Sequence, residues 1–247
     1  MDNAIYTALG GANAALNRQA IISNNLANAN TNGFRAQLSA LRAAPVTGPG
    51  MATRTLAAES VPGFNAQSGA HYSTGRPLDV ALSDKGWLSV MLPDGTEAYT
   101  RDGSIQIDQA GQLHIGRYPL LGEAGPLVVP PQSGLTIASD GTITLLGMGD
   151  KPDEVSLAGR IKLVSAGADQ LTRGDDGLFR LRAGSLPGLT QSADVRLTSE
   201  MLESSNVNPI HSMVEMIATG RGFDMHMKMI STVDSNEKRA NQLLSIG

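Results

Sequence analysis

Apolar residues near the amino terminus recur at alternating three- and four-residue intervals. Ile5, Leu9, Ala12, Leu16 and Leu26 mark one face, and the polar Gln19 and Ser23 fill the intervening slots. This heptad spacing predicts a helix from Asp2 to about Asn28 with a partly polar seam. Asp2 or Asn3 caps its start, and the run from Asn28 through Gly33 supplies an asparagine-rich stop ending in a residue able to take positive φ. Such a helix is roughly 40 Å long at about 1.5 Å per residue. Gly10 and Gly11 lie inside it and cost about 1 kcal/mol each relative to alanine, so its order depends on a packing partner.

The same periodicity returns at the other end. Asn208 followed by Pro209 reads as an N-cap with a first-turn proline, and Ser212 with Glu215 offers a second start. Met213, Met216, Gly220, Phe223, Met227, Ile230 and Leu244 then fall on heptad positions, broadened by Ile217 and Val233. Asp234, Glu237 and Asn241 make the later seam polar. Six of the ten methionines lie beyond residue 200, where flexible thioether chains suit packing in unequal surroundings as well as ordinary core filling.

Between these ends the period changes from helical to alternating. Runs such as LDVAL at 78–82, WLSVML at 87–92, AYTR at 98–101 and IQID at 105–108 predict short strands. QLHI at 112–115, LTIA at 135–138, TITLL at 142–146, RIKLV at 160–164 and LFRL at 178–181 continue the series. Asp94-Gly95, Asp102-Gly103 and Ala110-Gly111 follow at hairpin cadence, and Asp140-Gly141 and Asp176-Gly177 extend the same turn chemistry. An antiparallel meander, closed as a small sandwich or barrel, is expected. Pro45, Gly48, Pro49, Gly50, Pro62, Gly63 and Gly69 break any periodicity before it. The expected division is an amino-terminal helix and motif (1–34), an extended connector (35–75), a central β domain (76–200) and a carboxy-terminal helix (201–247). The fold class is α+β: long terminal helices paired as a coiled coil, with a central antiparallel all-β domain.

Composition narrows the function. The chain has 247 residues, 19 basic and 23 acidic side chains, and no cysteine. A net charge of -4 disfavours nucleic acid, and the missing thiols exclude disulfides, thiolate metal sites and a cysteine nucleophile. Twenty-eight glycines and twelve prolines together make roughly 16% of the chain, against about 12% ordinarily, which demands frequent turns. No apolar run is long enough to span a bilayer, and the opening MDNAIYTALGG lacks the basic start of a secretory signal. His71, His114, His211 and His226 show no i, i+4 metal spacing, and no dinucleotide, phosphate-loop, esterase or calcium motif occurs. Ser235 and Lys238 match SxxK without its companion motifs. Asp79, Asp84 and Glu97 are candidate paired carboxylates better read as loop acids, and Arg76, Arg101 and Arg221 are better read as ion-pair residues than as anion sites. No cofactor, metal or small-molecule substrate is expected. Through Pro45 the chain carries Arg18, Arg35 and Arg42 against Asp2, a net +2, whereas residues 200–247 carry six acids against four bases, a net -2. The two ends are weakly complementary.

Three stretches carry a family resemblance. SNNLANANTNGFRAQ at 23–37 resembles the amino-terminal signature of bacterial flagellar rod and hook proteins. LESSNVNPIHSMVEMIATGRGFDMHMKMISTVD at 202–234 resembles their carboxy-terminal signature, and STGRPLDVALSDKGWLSV with EAYTRDGSIQIDQAGQLH resembles their central β segment. Length and the opening residues are most similar to proximal-rod members of the family.

The resemblance implies a non-enzymatic subunit of the periplasm-spanning rod, exported without a cleavable signal by the flagellar type III apparatus. It implies partners among proximal and distal rod subunits and further copies of the same chain, in a hollow helical shaft that transmits torque and encloses the export channel. By carry-over, Leu26, Asn28, Thr31, Gly33 and Phe34 belong to the first motif. Leu202, Ser205, Asn206, Val207, Asn208, Met216, Ile217, Arg221 and Phe223 belong to the second. With Ile5, Leu9, Leu16, Ile22, Met227 and Ile230 from the helical faces, these are the expected assembly residues, and the same apolar groups also serve to hold one chain's helix pair together. The alternatives are a distal rod subunit, a binding module built on the β domain, or a rod-associated cell-wall hydrolase.

Overall fold

A computed structural model of the chain describes residues 2–45, 55–83, 85–130, 134–146, 156–182 and 188–244. Asp84, the residues Gly48, Pro49 and Gly50, and the side chains of the expected cap at Asp2 and Asn3 lie outside the described residues. The chain forms two compact units. The first comprises residues 1–27, 37–62 and 208–247, and the second 28–36 and 63–207. The architecture is α+β, with a helix at each end of the sequence and an antiparallel β-rich centre.

The helical unit contains α1 (Asp2–Ala27) and α2 (Pro209–Leu244). Arg18 meets Glu215 at 3.2 Å, while Gly11 lies against His226 further along α2, so the two helices run antiparallel. The inner face of α1 is one step away from the seam read off the sequence. Ala8, Ala12 and Ile22 are buried, and Ile5, Ala15, Gln19 and Leu26 are half-buried, whereas Leu9 and Leu16 are 46% and 51% exposed. Both seams share positions 5, 12, 19 and 26, so spacing alone does not choose between them. Geometry chooses the alanine face: a Cβ at Gly11 would stand 2.4 Å from the His226 imidazole, a separation that only small residues permit.

Asn208 caps α2 as its sequence suggests, accepting a hydrogen bond from the His211 amide through its side-chain oxygen at 3.1 Å. Ser212 is not a second start, because its amide already donates to the Asn208 carbonyl at 3.0 Å inside the first turn. Helicity continues through Gly220 and Gly222 to Leu244. Asn208→Ala is expected to lower the stability of the helical unit by about 1 kcal/mol. Thermal unfolding followed by far-ultraviolet circular dichroism checks this, and an unchanged midpoint would count against the cap.

In the segment read as an extended connector, Gln37–Pro45 and Thr55–Phe64 form a two-stranded sheet. Asn25 clamps the entry, its side-chain amide donating to the Gln37 carbonyl at 2.9 Å and its carbonyl accepting from the Gln37 amide at 2.8 Å.

The β unit is organised by a five-stranded antiparallel sheet. Its spatial order is Leu163–Ser165, Gly86–Met91, Glu97–Thr100, Phe179–Leu181 and Leu171–Arg173. Alternation along these strands feeds two cores. Leu88, Val90, Ala98 and Leu163 join the larger one, while Trp87, Tyr99, Val164, Leu171 and Phe179 join a smaller aromatic one with Phe64. Burial on both faces explains why residues 87–92 are apolar at every position except the buried Ser89. The Trp87 and Phe179 rings lie 4.6 Å apart, and those of Phe64 and Phe179 4.7 Å apart.

The predicted hairpins at Asp94-Gly95, Ala110-Gly111, Asp140-Gly141 and Asp176-Gly177 form. Asp102-Gly103 departs from the cadence: Ile105–Ile107 pairs with Leu113–Ile115 in a separate three-stranded sheet, so this dipeptide carries the chain between sheets. Gly103 is required there because an added Cβ would fall 1.7 Å from the Val80 carbonyl oxygen.

Candidate assembly surfaces

The two signature motifs meet inside the β unit. After α1, the Thr31 hydroxyl donates to the Asn28 side chain at 3.2 Å, and Gly33 turns the chain with φ at +65°. The Gly33 amide donates to the Glu203 carbonyl at 2.8 Å, and the Asn206 amide to the Phe34 carbonyl at 3.2 Å. The Asn206 side chain then ties three segments: it accepts from the Ala36 amide at 2.8 Å and donates to the Asn65 and Gln67 carbonyls at 3.0 and 2.8 Å. Phe34 is buried beneath the Arg173 guanidinium, 4.4 Å from the ring centre, and burial pushes the Arg173 pKa down from its ordinary value. Leu202 is buried in a short ladder opposite Tyr72, and the Ser205 hydroxyl accepts from the half-buried Val207 amide at 3.2 Å.

The division of the chain therefore differs from the one read along it. Residues 28–36 and 201–207 belong with the β unit, because their backbone groups are satisfied there rather than along a helix.

At the centre of this joint is a group the motif reading left out. Glu203 receives Arg35 at 2.8 Å and Arg101 at 2.5 Å, and each of the three residues is about 1% exposed. The oxygen that faces Arg35 also accepts from the Gly69 amide at 2.9 Å. Arg101 donates further to the Ser83 and Gly86 carbonyls at 2.9 and 2.6 Å, and Arg35 donates to the Gln67 carbonyl. The sequence marks Arg101 as an ion-pair residue but does not single out Arg35 or Glu203. The available signal was a pair of ionised residues inside the two recognisable stretches. Nearby, burial raises the Asp102 carboxyl above its ordinary value, although the Ser104 amide donates to it at 3.0 Å.

The helical unit presents some of the remaining candidates on its outside. Tyr6, Leu9 and Leu16 repeat at heptad spacing on the exposed face of α1. On α2, Ile210, Met213, Val214 and Ile217 are exposed, Ile217 by 58%, and Arg221 and Met227 continue outward. Met216, Phe223 and Ile230 are half-buried and turn toward the pair. A cavity of about 460 Å³ in this unit is walled by Gly11, Ala14, Ala15, Ala218 and Gly222, with Arg18 and Glu215 among its lining.

The enzymatic candidates are otherwise engaged. Asp79 pairs with Arg76 at 3.4 Å and Glu97 with Lys162 at 2.8 Å. Ser235 donates to the Ser231 carbonyl at 2.9 Å, and Lys238 pairs with Asp234 at 2.6 Å, so neither poses as nucleophile and base. Among the described residues, no group of three or more His, Asp and Glu could hold a metal ion.

Three family models match this chain. "Flagella basal body rod protein" covers residues 5–35, "Flagellar hook protein FlgE/F/G D1 domain" 81–145, and "Flagellar basal body rod FlgEFG protein C-terminal" 198–243. The flagellar basal-body rod protein FlgF of Salmonella typhimurium is 53% identical over 250 residues, covering all of both chains, and FlgF of Escherichia coli is similar to the same degree. The rod protein FlgG of Buchnera aphidicola from Acyrthosiphon pisum is 33% identical over 90% of this chain and 92% of its own.

Proposed function

Because the chain belongs to the FlgF family of flagellar basal-body rod proteins, we propose that it occupies the proximal rod and builds its wall through the outer faces of α1 and α2. It is a structural subunit rather than an enzyme, it resides in the flagellar basal body, and it assembles with other rod and hook subunits. One observation carries the proposed mechanism: a folded helix pair leaves Tyr6, Leu9, Leu16, Ile210, Met213, Val214 and Ile217 exposed at helical spacing. Burying a large apolar side chain contributes about 2 kcal/mol, so two such stripes supply a docking energy that a monomer forgoes.

The candidate residues then divide by role. Ile5, Ile22, Leu26, Met216, Phe223 and Ile230 hold α1 and α2 together as an antiparallel coiled coil. Leu9, Leu16, Ile217, Arg221 and Met227 face neighbouring rod subunits, further copies of this chain among them. Asn28, Thr31, Gly33, Phe34, Leu202, Ser205, Asn206 and Val207 form the joint in the β unit, and Asn208 starts α2. In domain terms, residues 1–27 and 208–247 are assembly helices, 37–62 a paired strand extension, and 28–36 with 63–207 the β body. The chain reaches the rod through the flagellar type III export apparatus and takes neither nucleic acid nor a small-molecule substrate. A distal position is the second reading, disfavoured because the FlgG relative is 33% identical where the FlgF relatives are 53%.

Imaging basal bodies from a strain carrying this chain with a short tag in the Asp94-Gly95 turn tests the placement. The expected density lies at the membrane-proximal end of the rod. Density at the distal end would favour the second reading, and complete rods lacking the tag would remove both.

A further inference from the structure

We propose that Glu203 is the closing member of the β unit. Segments 33–36 and 65–70 stay undocked until residues 200–207 arrive, so the body cannot lock while its carboxy-terminal part is still being delivered. Two observations converge on this.

The first is where most of the backbone bonds of those segments go, although the Asn65 amide also donates to the Ala36 carbonyl at 2.8 Å and the Gln67 amide to the Asn65 side chain at 3.0 Å. Gly33 donates to the Glu203 carbonyl, Ala36 to the Asn206 side chain and Gly69 to the Glu203 carboxylate. Asn65 and Gln67 accept from the Asn206 side chain, and Ala70 accepts from the Ser204 amide at 2.8 Å. Residues 203–206 thus anchor both segments. The approach is tight, since a Cβ at Gly69 would stand 1.9 Å from the Ser204 carbonyl oxygen.

The second is charge. Arg35 and Arg101 are both removed from water beside one carboxylate, 102 positions along the chain from Arg101. Before Glu203 is in place, closing the seam would bury both guanidinium groups without the carboxylate they share in the folded unit, which is costlier than leaving them hydrated. Delivery from the amino terminus, during synthesis or during passage across a membrane, places Glu203 among the later residues, so electrostatics holds the seam open. This inference concerns closure within one chain and stands apart from the rod placement.

The full-length chain tests it in two measurements. In refolding from denaturant with pulsed hydrogen exchange, amides of 33–36 and 65–70 are expected to gain protection together with 200–207, after the 86–100 hairpin. Protection of those segments alongside the hairpin, ahead of 200–207, overturns the proposal. In the native state, Glu203→Gln is expected to raise exchange in 33–36 and 65–70 on the order of 100-fold while the 86–100 hairpin changes less than about threefold. An equal rise in all three regions, or no rise in any, also overturns it. If Glu203→Gln fails to fold, replacing the triad with apolar residues (Arg35→Met, Arg101→Met, Glu203→Leu) provides the second arm. Protection of 33–36 is then expected to precede that of 200–207, and unchanged ordering refutes the charge mechanism.

Discussion

Gly33→Ala is expected to destabilise the β unit by about 3 kcal/mol or more, whereas Gly95→Ala costs about 1 kcal/mol. Both glycines have positive φ, +65° and +79°, so both substitutions carry the conformational penalty of a left-handed backbone. Only Gly33 carries a second cost. Its added methyl would stand 2.3 Å from the Arg101 carbonyl carbon and 2.5 Å from the Asp102 amide nitrogen, whereas nothing lies within 4 Å of the same atom at Gly95. Backbone atoms cannot yield as a flexible side chain does. The strand ending at Thr100 or the turn at 28–36 must move instead, disturbing the seat of Arg101 against Glu203. Trp87, the single tryptophan, lies 5.8 Å from the Arg101 guanidinium and reports the change in urea unfolding followed by fluorescence. Equal shifts for the two variants would show that the close approach does not matter.

That contrast also shows what the sequence makes legible. A glycine ending an asparagine-rich helix stop announces positive φ, and Asn208-Pro209 announces a helix start, because both are decided within a few residues. Most strands are legible for the same reason, since alternation and an Asp-Gly turn are local signals. The choice of Ala8 and Ala15 over Leu9 and Leu16 as the inner face is not local. It depends on how closely α2 approaches at Gly11, and hydrophobicity alone favours the leucines. The passage at Asp102-Gly103 and the burial of Arg35 with Glu203 are decided by contacts between distant parts of the chain. For the candidate assembly residues, the resemblance and the helical spacing name positions, but which of them are buried in the β unit, half-buried between the helices or exposed is decided by the fold.

Leu16→Asp is expected to leave the monomer intact and to abolish incorporation into the rod. Leu16 is half-exposed on the outer face of α1, so the free chain keeps the carboxylate in water, and its stability changes by about 0.5 kcal/mol or less. In the proposed assembly the same carboxylate is removed from water against an apolar neighbour, at a cost of several kcal/mol without a counter-charge. Because each subunit of a helical shaft repeats the contact, the loss recurs at every copy. Ile22→Asp is the matched control: Ile22 is buried in the inner face, so that variant is expected to unfold the helical unit before assembly begins. Phe223→Asp is a less selective probe, since Phe223 is half-buried and serves both the pair and its surroundings. Circular dichroism of the purified chains separates the two classes, and swimming in soft agar with rod composition by mass spectrometry reads incorporation. A Leu16→Asp strain that swims normally would take the exposed face of α1 out of the shaft and leave its leucines without the role assigned to them.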